Sequence, residues 1–181
     1  MEYMILGLLI LSSRTIYQLR KRIDNGLELM YSSSTGSIQT ALKKLMSNGY
    51  ITSSDKEENG RGRRIYSITD EGRRYFGSWV NRPIGSIDLR CPELTKLYFL
   101  GLGDKENRRS VLESYISSTD EQLAALGMIC AEAEEMLKGA LSQEARDVIY
   151  YQYASARFGR DLLEFTAEWY KRFIKETEEQ L

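Results

Sequence analysis

Between Gly36 and Phe76 the spacing of apolar residues changes period twice, from helical to alternating and back to helical. No other feature limits the fold as strongly. Ile38, Leu42, Leu45 and Met46 fall on one helix face, with Gln39, Thr40, Lys43, Lys44 and Ser47 mainly on the other. Asn48-Gly49 stops that helix, and Tyr50 to Asp55 reads as strand. Asn59-Gly60 is a hairpin signal, because both residues tolerate positive φ. In the returning strand Arg64, Tyr66 and Ile68 share one face, and Arg63, Ile65 and Ser67 share the other. Thr69 is placed to cap a further helix running to about Val80. Positive charge collects at the turn, in Arg61, Arg63 and Arg64. A helix, a basic hairpin and a second helix in this order suit a winged helix-turn-helix, whose recognition helix enters the major groove while the wing touches flanking backbone.

The flanking sequence completes such a domain. An apolar first helix is expected over Glu2 to Leu11, with Ser12-Ser13-Arg14 as a break. Thr15 can cap a second helix that buries Ile16, Leu19 and Ile23 and ends at Asn25-Gly26. The run Ser32 to Gly36 is rich in cap and turn residues and launches the third helix. Asn81 to Pro92 has no clear period and holds both prolines, Pro83 and Pro92, so it marks a domain boundary. A short helix is expected over Glu93 to Leu102, closed by Gly101 and Gly103, and a long one from about Asp104 to Lys138. In the long helix Leu112, Ile116, Thr119, Leu123, Leu126, Cys130, Ala133 and Leu137 alternate spacings of four and three, as in a coiled-coil seam. The last helix, about Ser142 to Glu178, has two apolar stripes. One is Ile149, Tyr153, Ala156, Leu163, Tyr170 and Ile174; the other is Tyr151, Phe158, Leu162, Phe165, Trp169 and Phe173. A solvent-facing helix needs one stripe, so two imply packing against its own domain and against a partner.

Composition narrows the function classes. The net charge of -1 hides an asymmetry: residues 1–80 carry 12 Lys and Arg against 8 Asp and Glu, residues 81–181 carry 13 against 18. A basic front and an acidic back suit a DNA-binding module joined to an interaction module. With 42% hydrophobic and 28% charged residues the chain has material for a core. No apolar run reaches the ~18–20 residues that span a bilayer. Tyr3 to Leu11 is short and lacks the features of a secretory signal, so no membrane partner is expected and a cytoplasmic location is. Histidine is absent, which removes the commonest general base and metal ligand. Cys91 and Cys130 have no metal-ligand spacing and read as reduced thiols. With no nucleophile elbow or phosphate loop either, no metal, cofactor or enzymatic activity is expected.

Two sets of residues carry the functional reading. On the third helix Gln39 can pair bidentately with adenine, and Lys43 or Lys44 can reach guanine or phosphate. A solvated helix face is the plain alternative; the arginines of the hairpin, set where a wing meets DNA, shift the balance toward nucleic acid. Tyr150, Tyr151, Tyr153, Trp169 and Tyr170 invite a ligand-pocket reading, but aromatic stripes at helical spacing are more often core or interface.

At these residues the chain resembles the PadR family of bacterial transcriptional regulators. The resemblance runs through ILGLLILSS, GSIQTALKKLMSNGYI and RRIYSITDEGRRYF, and so over nearly all of residues 4–76. ELTKLYFLGL and FGRDLLEFTAEWYKRF resemble the helical domain of the virulence-activator-like branch. The resemblance implies a winged helix in front, a helical dimerisation domain behind, and use most often as a repressor. It also admits a small-molecule effector, with no residue of this chain assigned to one. The family often has an aromatic residue where this chain has Gln39, which bears on base preference, and a glycine where it has Ile16, which bears on helix packing.

The expected architecture is mainly α with a small β-hairpin. An N-terminal winged helix-turn-helix occupies residues 1–80, a linker 81–92, and a C-terminal antiparallel helical dimerisation domain 93–181. The expected function is sequence-specific DNA binding by a homodimer on a roughly palindromic operator. Gln39, Thr40 and Lys43 would read bases, while Tyr17, Ser37, Lys44, Arg61, Arg63 and Arg64 would hold phosphates. Leu123, Leu126, Phe158, Phe165 and Trp169 are the expected dimer contacts. The alternative is a winged helix used for protein contacts without DNA.

Overall fold

The computed structural model describes residues 1–24, 34–58, 61–85 and 91–180, and divides the chain into two compact units, Met1–Ser86 and Ile87–Leu181. In the first unit α1 (Glu2–Leu11), α2 (Ile16–Asp24) and α3 (Thr35–Ser47) precede an antiparallel hairpin of β1 (Ile51–Glu58) and β2 (Arg61–Ile68), and α4 (Asp70–Val80) follows. Asn25-Gly26, Ser32-Ser33 and Asn59-Gly60 lie outside the described residues.

Helix starts in this unit follow the side-chain chemistry. The Thr15 hydroxyl accepts from the Gln18 amide at 3.2 Å, and the Gln18 side-chain oxygen accepts from the Thr15 amide at 2.9 Å, a reciprocal capping box. The Ser34 hydroxyl accepts from the Ser37 amide and Thr69 from the Gly72 amide, so α3 and α4 are capped too. The core joins Ile5, Leu6, Leu8 and Leu9 of α1, Leu19 and Ile23 of α2, and Ile38, Ala41, Leu42 and Leu45 of α3 to Ile51 and Tyr66 of the hairpin. Met46, expected on the buried face of α3, is 41% exposed. Ile38, Ala41, Leu42 and Leu45 complete the i, i+3, i+4, i+7 set, and at ~100° per residue Met46 lies beyond its edge.

Two glycines are required by this packing. Gly49 turns the chain out of α3 at φ 72°. Gly72 sits where α4 meets the backbone before β1: a Cβ there would lie 2.1 Å from the Tyr50 carbonyl oxygen.

In the second unit α5 (Pro92–Phe99) tightens into a 3-10 turn at Leu100–Leu102, and α6 (Lys105–Lys138) and α7 (Gln143–Gln180) form a helical hairpin. The short helix starts one residue earlier than expected, because Pro92 fills its first turn, where a missing N–H costs nothing. The Arg108 guanidinium donates to the carbonyl oxygens of Gly101 at 2.8 Å and Gly103 at 3.0 Å, closing the 3-10 turn. Tyr115 with Thr166, Glu134 with Tyr153 and Leu137 with Arg146 are hydrogen-bonded across the pair, so α6 and α7 run antiparallel. Leu112, Thr119, Leu126 and Cys130 of the seam are buried, as are Ala156, Ala167 and Ile174 of α7. Small α7 residues permit the close approach; a Cβ on Gly159 would lie 3.4 Å from a Leu126 methyl.

Candidate nucleic-acid interface

One backbone contact that the residue pattern does not announce assembles the candidate surface. Arg14, read as part of a break, pairs with Tyr66 of β2: its amide donates to the Tyr66 carbonyl at 3.0 Å and its carbonyl accepts from the Tyr66 amide at 2.9 Å. The Ser13 and Ser67 hydroxyls lie 2.8 Å apart beside it. The start of α2 is thereby fastened to the wing. The only hint in the sequence is that Ser12 to Arg14 can run extended before a cap.

This arrangement opens two adjoining troughs. One, about 700 Å³, is lined by Gln39, Lys43 and Met46 of α3, Asp55 of β1, and Gly62 and Arg64 of β2, among others. The other, about 450 Å³, is lined by Thr15, Tyr17 and Gln18 of α2 with Arg63 and Arg64. Ile16 and Arg64 line both. Gln39 and Lys43 are exposed, and Tyr17 is 73% exposed. Exposed hydrogen-bonding side chains of one helix thus stand beside guanidinium groups of a hairpin and a phenol of a second helix. That combination offers base edges and phosphates complementary groups at once.

Several of the expected contacts are already engaged within the chain. Lys44 is held by Glu2, Nζ to Oε1 at 2.7 Å, and the hydrogen bond followed by the carboxylate charge raises its pKa. Ser37 donates its hydroxyl proton to the Ser34 carbonyl at 2.8 Å, and Thr40 donates to that of Gly36 at 2.9 Å. Thr40 therefore presents a methyl and acceptor lone pairs outward. Arg64 donates to Asp55 through Nε at 3.0 Å and Nη2 at 3.3 Å. The same contact holds the Asp55 carboxyl below its ordinary range, first through the hydrogen bond and then through the charge. The side chain of Arg61 lies outside the described residues.

The two stripes of α7 have different fates. Of the first, Ala156 and Ile174 are buried and Ile149, Tyr153, Leu163 and Tyr170 half-buried. Of the second, Tyr151 is 73%, Phe158 56% and Phe165 61% exposed, while Trp169 stacks on Phe173 at 5.0 Å and is half-buried. Leu123 is half-buried. Leu126, expected at the dimer interface, is instead enclosed within the protomer at 3% exposure, packed with Cys130 and Ala156. Its place in the seam points it at α7, so a single protomer already covers it. The five aromatic residues weighed as a pocket do not converge. Tyr153 donates to Glu134 and Tyr170 packs on Tyr115 at 4.3 Å, both toward α6, while Tyr150 and Tyr151 are exposed. A separate hollow of about 390 Å³ is lined by Leu97, Leu112, Phe173 and Ile174 together with Lys105, Arg108 and Arg109. Among the described residues, no helix is long and apolar enough to cross a membrane, and no group of His, Cys, Asp and Glu could hold a metal ion.

Comparison with known proteins accounts for both units. Residues 5–78 match the model of the transcriptional regulator PadR-like family, and residues 89–178 match that of the virulence activator alpha C-terminal domain. No curated protein matches the chain significantly in sequence. Among solved structures, Bacillus subtilis PadR in complex with operator DNA is similar at a TM-score of 0.77, with 19% identity over 97% of each chain. The Vibrio cholerae virulence activator AphA is similar at 0.76, with 18% identity over 99% of each. Bacillus subtilis PadR in complex with p-coumaric acid is similar at 0.57, with 19% identity over 94% of each. With a PadR-like transcriptional-regulator domain in front and a virulence activator C-terminal domain behind, the chain has the domain make-up of a PadR family regulator and is a DNA-binding regulator of transcription.

Proposed function

We propose that the protein acts in the cytoplasm as a homodimeric repressor that sets two winged helices on a roughly palindromic operator. The observation that carries this reading is the pair of adjoining troughs, which gathers Gln39, Lys43, Tyr17, Arg63 and Arg64 on one surface of the first unit. Gln39, Thr40 and Lys43 read base edges from the major groove. Tyr17, Arg61, Arg63 and Arg64 hold phosphates beside it. Ser37 and Lys44 join them by exchanging Ser34 and Glu2 for phosphate oxygens. The Bacillus subtilis PadR structure holds operator DNA, which supports the same use of the fold here.

The exposed aromatic stripe of α7 supports the dimer. Phe158, Phe165 and Tyr151 leave a large apolar surface on one protomer, and a second copy covers it most economically when each supplies the same stripe. Trp169 and Leu123 flank the contact, and Leu126 backs it from within the protomer. A small-molecule effector fits the hollow against Leu97, Leu112 and Phe173; Bacillus subtilis PadR is known in complex with p-coumaric acid.

The test is binding to genomic fragments over a potassium chloride series, with sedimentation of the protein alone. A dimer that selects one class of fragment and weakens steeply with salt supports the reading. A monomer of 20.9 kDa, or binding indifferent to salt, overturns it.

A further inference from the structure

A carboxylate is out of place on a surface that meets a polyanion, yet Asp55 lines the larger trough together with Lys43 and Arg64. Fold stability does not account for it. The side chains of Asp55 and Arg64 are 67% and 58% exposed, and exposed ion pairs contribute little. Geometry suggests another use. Asp55 and Arg64 face each other across the hairpin. Asp55 takes the inner edge of the guanidinium, Nε at 3.0 Å and Nη2 at 3.3 Å, on its two oxygens. A guanidinium has five N–H donors, and of the three this grip leaves, the other N–H of Nη2 and the neighbouring N–H of Nη1 form an outward fork. That fork matches two acceptors side by side, such as guanine O6 and N7 or two phosphate oxygens.

We infer that Asp55 is a specificity-determining positioning residue. It fixes the plane and direction of Arg64 so that the guanidinium rewards only a duplex whose acceptors meet the fork, and its charge weakens attraction to phosphate in general. Without it Arg64 is a flexible cation that binds any backbone. The inference rests on the proposed DNA surface.

The experiment measures the Kd of full-length wild type, Asp55→Asn, Asp55→Glu, Arg64→Ala and the Asp55→Asn, Arg64→Ala double variant, on the preferred genomic duplex and on random duplex, over a salt series. Thermal unfolding of each variant checks the fold. Asp55→Asn is expected to bind random duplex ~5-fold more tightly, steepen its salt slope by up to about one, and gain nothing on the preferred duplex. The preference therefore shrinks ~5-fold, and Asp55→Glu, which keeps the carboxylate, recovers part of it. In the Arg64→Ala background Asp55→Asn changes both affinities by the same factor, because only charge is left to lose. An unchanged preference in Asp55→Asn overturns the inference, and so does an equal loss of preference with Arg64 already removed. Wild type that fails to bind DNA in a salt-dependent way overturns the DNA surface itself, and this inference with it.

Discussion

The two units close their cores to different degrees. In the first, Ile5, Leu6, Leu19, Ile23, Ile38 and Leu45 are fully buried, drawn from three helices that surround one another and a hairpin that covers them. In the second, two long antiparallel helices bury one seam, while Tyr98, Met128, Tyr151 and Phe165 remain 82%, 70%, 73% and 61% exposed. Two helices alone enclose only the strip between them, so an apolar residue off that strip stays wet until something else covers it. The winged helix is complete in one chain and turns polar groups outward for a polyanion. The helical hairpin leaves an apolar stripe uncovered, which is the surface proposed to meet a second copy.

That contrast is best broken at the aromatic stripe. Replacing Phe158 and Phe165 together by serine is expected to leave α6 and α7 paired, since neither residue is in their seam. The variant sediments as a monomer and loses ~100-fold or more in operator affinity, because two half-sites then bind as separate events. A dimer of undiminished affinity would show that the stripe is not the contact.

The opposite unit is tested by Gly72→Ala, which drives a methyl group against the Tyr50 carbonyl. A loss of about 2–4 kcal/mol in the unfolding of the winged helix is expected, read by thermal or denaturant melts, with dimerisation kept. Gln39→Ala is expected to cost about 1–3 kcal/mol on the preferred duplex and much less on random DNA. Equal losses would move Gln39 from base reader to backbone clamp. Arg63→Ala is expected to weaken both duplexes alike and to flatten the salt slope by about one, measured by titration at several salt concentrations.

The smallest effect concerns the aromatic column Tyr50, Tyr75, Tyr3 and Trp79, whose rings stack at 4.3, 5.3 and 4.5 Å. The hydrogen bond shared with the Tyr3 hydroxyl, followed by burial, pushes the Tyr75 phenol up to about 12. A phenol whose pKa is raised by folding adds stability that is present below its ordinary ~10 and lost as pH climbs past about 12. Ultraviolet titration of Tyr75→Phe against wild type should remove one late-titrating phenol. An unchanged curve would place that proton elsewhere.

Much of this was readable along the chain because it is governed by neighbours in sequence. Period, cap and turn chemistry act over a few residues, so Thr15, Ser34 and Thr69 announce helix starts, and Ile38, Leu42 and Leu45 announce a buried face. The two stripes of α7 were equally legible, since helical geometry alone decides which residues share a face. The candidate DNA residues could be named by type and position, but not by what already engages them.

What sequence alone determined is therefore the order of elements, the family resemblance and the types of side chain offered to DNA and to a partner. Only the tertiary structure decided which of those side chains remain available. Lys44 is tied to Glu2, 42 residues away in the chain, and Arg64 to Asp55 across a hairpin register that no local pattern states. Arg14 joins Tyr66, and Leu126 turns inward onto α7 while Phe165 stays in the open. Each of these depends on two distant segments meeting, and that meeting is a property of the packed fold, not of either segment.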